Sequence, residues 1–357
     1  MATVILLMAC YHPLTAFWTG AYTDSGKKDL VIVHGDCDRL DINSASIPDR
    51  FKQNIKPFSA ATTIIDGHTY LTQKLELPCG QCIGCRLDYA RQWALRCMLE
   101  AKQWKDNIFL TLTYDDDHLQ SASLIPEDLT KFMKDLRRQW QYHYGIDEIR
   151  FFACGEYGEL YTRPHFHIIL FNCPVPDKKL FKTFRGVRYY ESEHISRIWD
   201  KGFITIGEVT FESCAYVARY VIKKQKGKGS KEYYDNLGVK PEFVRMSRRP
   251  GIAREWYEEN KDKIYETDEI FLSDGKGNLR QLKPARYFDR LYDNYKPEQL
   301  EEVKARRRVA GELTRQNKMH DLGITDRNEF LKREEELATA RISNSTRSKI
   351  KRKEKQL

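Results

Sequence analysis

Arg163-Pro164-His165-Phe166-His167-Ile168-Ile169-Leu170-Phe171 is the stretch from which the fold can be read. In a β-strand the side chains at i and i+2 share a face, so His165 and His167 stand together while Phe166 turns to the other side. Ile168 to Phe171 is apolar enough to anchor the strand in a core. Two imidazoles held at fixed spacing on a rigid element are what a metal site requires. Paired histidines of this kind also occur as packed or surface residues, so the flanking stretches decide their meaning.

Just upstream, Arg150-Phe151-Phe152-Ala153-Cys154-Gly155-Glu156-Tyr157-Gly158 is an apolar run that enters a turn. It reads as a buried strand, folded back as a hairpin against the histidine strand by residues 159 to 164. That pairing sets Glu156 near both histidines. Two neutral imidazoles and one carboxylate suit Mg²⁺, Mn²⁺ or another divalent ion that keeps positions open for substrate oxygens. By composition alone Glu156 is equally a solvated turn carboxylate.

Downstream, Ser213-Cys214-Ala215-Tyr216-Val217-Ala218-Arg219-Tyr220-Val221-Ile222-Lys223-Lys224 reads as a helix. Tyr216 and Tyr220 are spaced i, i+4 and share one helical face, with Arg219 and Lys223 bordering it at i+3. Aromatic stripes at this spacing are usually core. Here the phenols are interleaved with cations, which favour phenolate and lower a pKa that is ordinarily about 10.

A glutamate, then His-hydrophobic-His, then a helix carrying Tyr-x-x-x-Tyr-x-x-Lys is similar to the HUH endonucleases that initiate rolling-circle replication. A wider line-up adds Pro78-Cys79-Gly80-Gln81-Cys82-Ile83-Gly84-Cys85-Arg86 and Phe109-Leu110-Thr111-Leu112-Thr113-Tyr114 to Cys154-Gly155-Glu156-Tyr157-Gly158 and the histidine strand. It resembles the replication initiators of the gokushovirus branch of microviruses, small single-stranded DNA bacteriophages, over residues 8 to 255.

The resemblance implies an α+β fold with a five-stranded antiparallel sheet that carries metal ligands on one face and is flanked by helices. It implies sequence-specific DNA nicking and strand transfer, with Glu156, His165 and His167 as ligands of Mg²⁺ or Mn²⁺. Tyr216 and Tyr220 would form covalent 5′-phosphotyrosines, Lys223 would stabilise charge on phosphate or leaving group, and Arg163, Arg219 and Lys224 would touch the DNA backbone. The implied partners are origin DNA, single-stranded or locally melted, and host helicase and polymerase, in the cytoplasm of the infected bacterium.

Composition agrees with a nucleic-acid partner. The chain has 357 residues and a formal charge of +9, with pI near 8.9 and mean hydropathy −0.64, a balance that favours acidic partners. Nine cysteines, an odd number, argue against a secreted disulfide scaffold and for a reducing compartment. Met1 to Met8 is apolar but short and lacks a basic flank, so it does not read as a signal peptide, and Met8 is a candidate start. No run approaches the roughly 18 apolar residues of a membrane span.

Cys79, Cys82 and Cys85 follow Cys-x-x-Cys-x-x-Cys spacing. Joined by Cys10 or His12, they would make a closed tetrahedral zinc site. They are otherwise reduced thiols at a tight turn, and iron–sulfur ligation ranks below zinc. Residues 14 to 77 read as short β segments with turns between.

Further along, apolar spacing predicts a helix over 86–105, a strand over 108–114 ahead of the solvated run Asp115-Asp116-Asp117, and a helix from Pro126 to about Tyr144. After the histidine strand come a helix over 191–201 and a strand over 203–209. Hairpin links outnumber βαβ crossovers, which points to α+β architecture on an antiparallel sheet.

No G-x-x-x-x-G-K-[ST] occurs, so no fused helicase is expected. Lys223 to Lys231 and Arg248-Arg249-Pro250-Gly251 are basic segments able to follow phosphates. Residues 295 to 357 are charge-dense, helical grading into a tail.

The expected organisation is residues 1–85 as a β-rich segment, 86–255 as a nuclease core and 256–357 as a charged C-terminal region. Two other readings compete. A zinc-stabilised DNA-binding module without chemistry would use the cysteines and the charge. A non-haem Fe(II) oxygenase would use the same two histidines and carboxylate, but needs no tyrosine pair flanked by cations.

Overall fold

The computed structural model describes residues 10–354 except 25, 34–36, 120, 159–162, 185, 224–228 and 274–278, and only the backbone of 220–223 and 344–354. Two compact units emerge, Arg86–Lys318 and Met8–Cys85 together with Met319–Leu357.

The first unit is built on an antiparallel sheet. Its central strand, Asn107–Tyr114, alternates strictly, with Ile108, Leu110, Leu112 and Tyr114 buried and the residues between them half-exposed, as a strand with one face in a core demands. Pro164–Phe171 pairs with one side of this strand and Gly202–Gly207 with the other. Arg150–Tyr157 lies beyond the histidine strand and Phe243–Met246 beyond that. Seven strands are present rather than five, because the hairpin Lys179–Phe184 and Val187–Glu191 extends the sheet past Gly202–Gly207. Tyr190 makes that junction, pairing with Ile206 and packing against the core.

Each face carries helices. Pro126–Tyr144 and Glu193–Trp199 bury Leu129, Phe132, Leu136, Trp140, Ile195 and Trp199 against Leu110, Leu112, Phe166 and Ile168. Pro126 opens the first of these helices, and Gly145 closes it in the left-handed conformation that glycine adopts without strain. The opposite face packs Phe152, Cys154, Ile169 and Phe171 against Ala90, Ala94 and Cys97 of helix Ile83–Ala101, and against Cys214, Val217 and Ala218 of helix Phe211–Lys223. The two later elements predicted from spacing shorten to Glu193–Trp199 and Gly202–Gly207, since Ser192 caps the helix and Gly202 has φ 141°.

Beneath this second layer lies a buried ion pair. Arg150 and Glu100 are almost fully enclosed and joined directly through Arg150 Nε. Glu100 Oε2 also accepts from Ala253 N at 2.5 Å, and Arg150 Nη2 donates to the Pro250 carbonyl at 2.9 Å. Arg96 donates to Ile252 O at 3.0 and 3.1 Å. These bonds fasten the turn that follows Arg248 and Arg249 to the sheet. Residues beyond it form a satellite core of Tyr257, Tyr265, Phe288, Tyr292, Leu300 and Val303, bordered by Arg307, which is held between Asp268 and Asp289.

The second unit holds two small sheets. Leu14–Tyr22 pairs with Lys28–Val33 and Lys74–Leu77, and His68–Leu71 pairs with Leu40–Asp41 and Thr62–Ile65. Phe17, Val31, Ile47 and Leu71 fill its core. The helix Arg327–Glu354 belongs to the same unit, through Arg327 on Glu76 and His12 on Glu335. Among the described residues no helix is long and apolar enough to cross a membrane.

Removing one partner of a buried pair strands the other charge, so Glu100→Ala is expected to lower unfolding free energy by about 3–5 kcal/mol in denaturant titration. A loss below about 1 kcal/mol would mean that the Pro250 carbonyl and Glu148 suffice for Arg150.

Candidate active site

Register assembles the site. Glu156 lies opposite His165, and Cys154 opposite His167. Facing residues of an antiparallel pair share a side of the sheet, so Glu156, His165 and His167 converge on the face covered by helix Phe211–Lys223. Glu156 Oε1 is 2.7 Å from His165 Nε2 and 2.9 Å from His167 Nε2. The two rings stand nearly perpendicular, with centroids 4.8 Å apart. The carboxylate is buried, and His165 retains 15% exposure, which leaves an approach from solvent.

The remaining ring nitrogens are engaged elsewhere. His165 Nδ1 donates to the carbonyl of Arg163 at 3.0 Å, and His167 Nδ1 lies 2.9 Å from Thr111 Oγ1. Both Nε2 atoms are therefore turned toward the carboxylate. A neutral His165 whose Nδ1–H is committed to a carbonyl aims a lone pair at Glu156, which is repulsive unless the ring is protonated or a cation lies between them. The donor set thus fits a divalent ion, with each ring oriented by its other nitrogen. Burial pushes the Glu156 carboxyl up, but the bonds from His165 and His167 outweigh it and hold the group below the ordinary carboxylate range. These are the only described residues besides the cysteines whose ligand atoms cluster in this way.

Tyr216 reaches the same place from the helix. Its ring is 5.1 Å from that of His167 and 6.4 Å from Phe109, edge-on to both. It is half-buried while its neighbours Val217 and Ala218 are fully buried, and Arg219 is exposed. The side chains of Tyr220 and Lys223 and the whole of Lys224 lie outside the described residues. Arg163 pairs with exposed Asp116 at the mouth of the histidine strand. Asp115 pairs with His118, so the acidic run joins no metal-like cluster among the described residues.

In the second unit the sulfurs of Cys10, Cys79, Cys82 and Cys85 lie within 4.8 Å of one another. Cys10, not His12, completes the set, for His12 turns outward to Glu335 at 2.8 Å. Backbone amides point at the sulfurs: Cys79 N at Cys10 (3.2 Å), Tyr11 N at Cys82 (3.4 Å) and Cys82 N at Cys79 (3.3 Å). Burial pushes the Cys10 thiol up to about 11 and Cys85 higher, whereas amide donors hold Cys79 below the ordinary thiol range despite its burial.

The family model of replication-associated protein ORF2 matches residues 107–225. Replication-associated protein ORF2 of Spiroplasma virus 4 is 43% identical over 221 residues, covering 60% of this chain and 67% of that protein. Replication-associated protein VP4 of Bdellovibrio phage phiMH2K is 33% identical over 263 residues, 71% of this chain and 81% of that protein. The chain belongs to the phage replication-associated protein family. Replication-associated protein ORF4 of Chlamydia phage 1 is 34% identical over 182 residues, 49% of this chain and 45% of that protein. No solved structure matches.

The family match begins at the first residue of the central strand and runs just past the tyrosine helix. In this replication-associated protein the site also uses a residue that no motif announces. Thr111 meets His167 only because two strands pair in one register. Its trace in the sequence is faint, a polar residue recurring at period two in an apolar strand. Thr111→Val should weaken Mn²⁺ binding about 10- to 100-fold by calorimetry; unchanged affinity would show that Thr111 does not orient the ring.

Proposed function

We propose that the protein initiates rolling-circle replication by nicking one DNA strand and later rejoining it through transesterification. The observation that carries this is the Tyr216 ring standing 5.1 Å from His167 above the face that also bears Glu156 and His165. Glu156, His165 and His167 would hold Mg²⁺ or Mn²⁺, which when bound polarises a non-bridging oxygen of the scissile phosphate as a Lewis acid. The Tyr216 oxygen attacks phosphorus, a Tyr–O–P bond forms, and the bond from phosphorus to the 3′ oxygen breaks. That oxygen takes a proton and leaves as the 3′-OH primer, while the 5′ end stays on the tyrosine. The phosphoester count is conserved, so resealing needs no nucleotide.

Tyr220, one helical turn later, would cut the regenerated origin as the freed 3′-OH attacks the first phosphotyrosine and closes a circle. Lys223 would stabilise charge on the phosphate, and Arg163, Arg219 and Lys224 would contact the backbone. Arg163 would have to exchange Asp116 for a phosphate. Origin DNA, single-stranded or melted, is the substrate, and host helicase and polymerase act with the protein in the cytoplasm of the infected bacterium.

The four cysteines would hold a structural Zn²⁺, since four thiolates and converging amides make a closed tetrahedral donor set. That ion would tie residue 10 to the loop at 79–85.

A labelled single-stranded origin oligonucleotide with Mn²⁺ should give a protein–DNA adduct that survives denaturing electrophoresis. EDTA and His165→Ala should each abolish it, and Tyr216→Phe should leave at most cleavage through Tyr220 and block repeated rounds. Wild-type adduct yield from His165→Ala would remove the metal assignment and leave a DNA-binding module. Purified protein should contain about one zinc per chain by elemental analysis, lost in Cys79→Ser together with a lowered melting temperature; zinc-free wild type of equal stability would refute the cysteine site.

A further inference from the structure

The hairpin that extends the sheet has no part in the chemistry above, and its composition is unusual for an edge. Between 178 and 191 the chain carries Lys178, Lys179, Lys182, Arg185 and Arg188 against the single acid Glu191. The whole strand Lys179–Phe184 is exposed. Lysines on an edge strand ordinarily serve to prevent pairing with other chains. Exposed aromatic and aliphatic side chains work against that purpose, yet Phe181 is 56%, Phe184 42% and Val187 48% exposed.

Register shows where this surface leads. Glu156 faces His165, His165 faces Thr113, and Thr113 faces Phe203. These four form one row on the triad side of the sheet. Phe203 is 68% exposed, the largest value for an aromatic within the seven strands as described. On the next strand Tyr190 turns to the opposite core, so Val187, Tyr189 and Glu191 lie on the triad side. Beyond them Lys182 faces Tyr189 and Phe184 faces Val187. Lys182 Nζ sits 5.8 Å from the Tyr189 ring and 5.2 Å from Phe181. Adjacent strands are about 4.8 Å apart, so a path from His165 to the outer strand is about 19 Å long.

We infer that Phe203 and the hairpin residues Lys182, Phe184 and Tyr189 form a platform for unpaired DNA, on which bases leaving the cutting site stack while lysine meets the phosphates. Exposed rings interleaved with cations are the general means of holding single strands without sequence preference, and the charge of the hairpin complements a polyanion. This rests on the triad being a DNA-cutting site, whose direct test is the covalent adduct.

The experiment uses full-length protein carrying Tyr216→Phe and a fluorescent oligodeoxythymidylate, which contains no origin sequence, followed by anisotropy. Phe203 is exposed enough that truncation leaves the core intact. Phe203→Ala should weaken binding about 5- to 150-fold, the range of one lost base–aromatic stack, and Phe203→Trp should restore it. Lys182→Ala should lower the slope of log affinity against log salt by about 0.7. Equal affinity and salt slope in these variants would overturn the platform while leaving the adduct result untouched. A change in sedimentation of the DNA-free protein with no change in oligonucleotide affinity would also overturn it, assigning the edge to self-association.

Discussion

Everything at the site depends on the pairing of Arg150–Tyr157 with Pro164–Phe171 in a register that sets Glu156 beside His165. A slip of one residue would turn Glu156 toward the aromatic core and the histidines away from it. Both faces resist such a slip. On one side Phe166 and Ile168 are enclosed among Leu110, Leu112 and Trp199. On that same side Gly155 lies under Phe243, where an added Cβ would come within 2.6 Å of the ring. On the other side the carboxylate meets two imidazoles.

That arrangement sets a polar group where burial would otherwise be costly. Glu156 is enclosed next to Cys154, which belongs to the apolar layer beneath the tyrosine helix. An ionised carboxylate there needs compensation, and the imidazoles supply it in the protein alone, as a bound cation would more strongly. Thr111 and the Arg163 carbonyl fix the ring orientations from behind. The half-buried Tyr216 closes the group from the helix side, held by Phe109 and by the buried Cys214, Val217 and Ala218.

The helices of this face crowd the end of the sheet where Phe152, Ile169 and Phe171 are buried. The other end, toward His165 and Phe203, is less enclosed. A replication protein that joins a long polymer needs such asymmetry, with a packed end to fix the nucleophile and an open end to admit the strand. The family match covers the site-bearing strands and helix, whereas the satellite core around Tyr257 and Phe288 and the cysteine-bearing unit are separate packing solutions joined to it.

Much of this was legible before any coordinates. Period-two and helical patterns located the strands and helices near the site, because burial of one face imposes those periods directly on the residue order. The spacing of His165 and His167 and of Tyr216 and Tyr220, and the triple cysteine, follow from local geometry alone. The outer hairpin was not legible, since a fully exposed strand carries no burial pattern. Nor could sequence choose between Cys10 and His12, pair Thr111 with His167, or align Phe203 with the triad. Those relations join residues far apart in the chain, and only strand register and tertiary packing determine which distant side chains share a face.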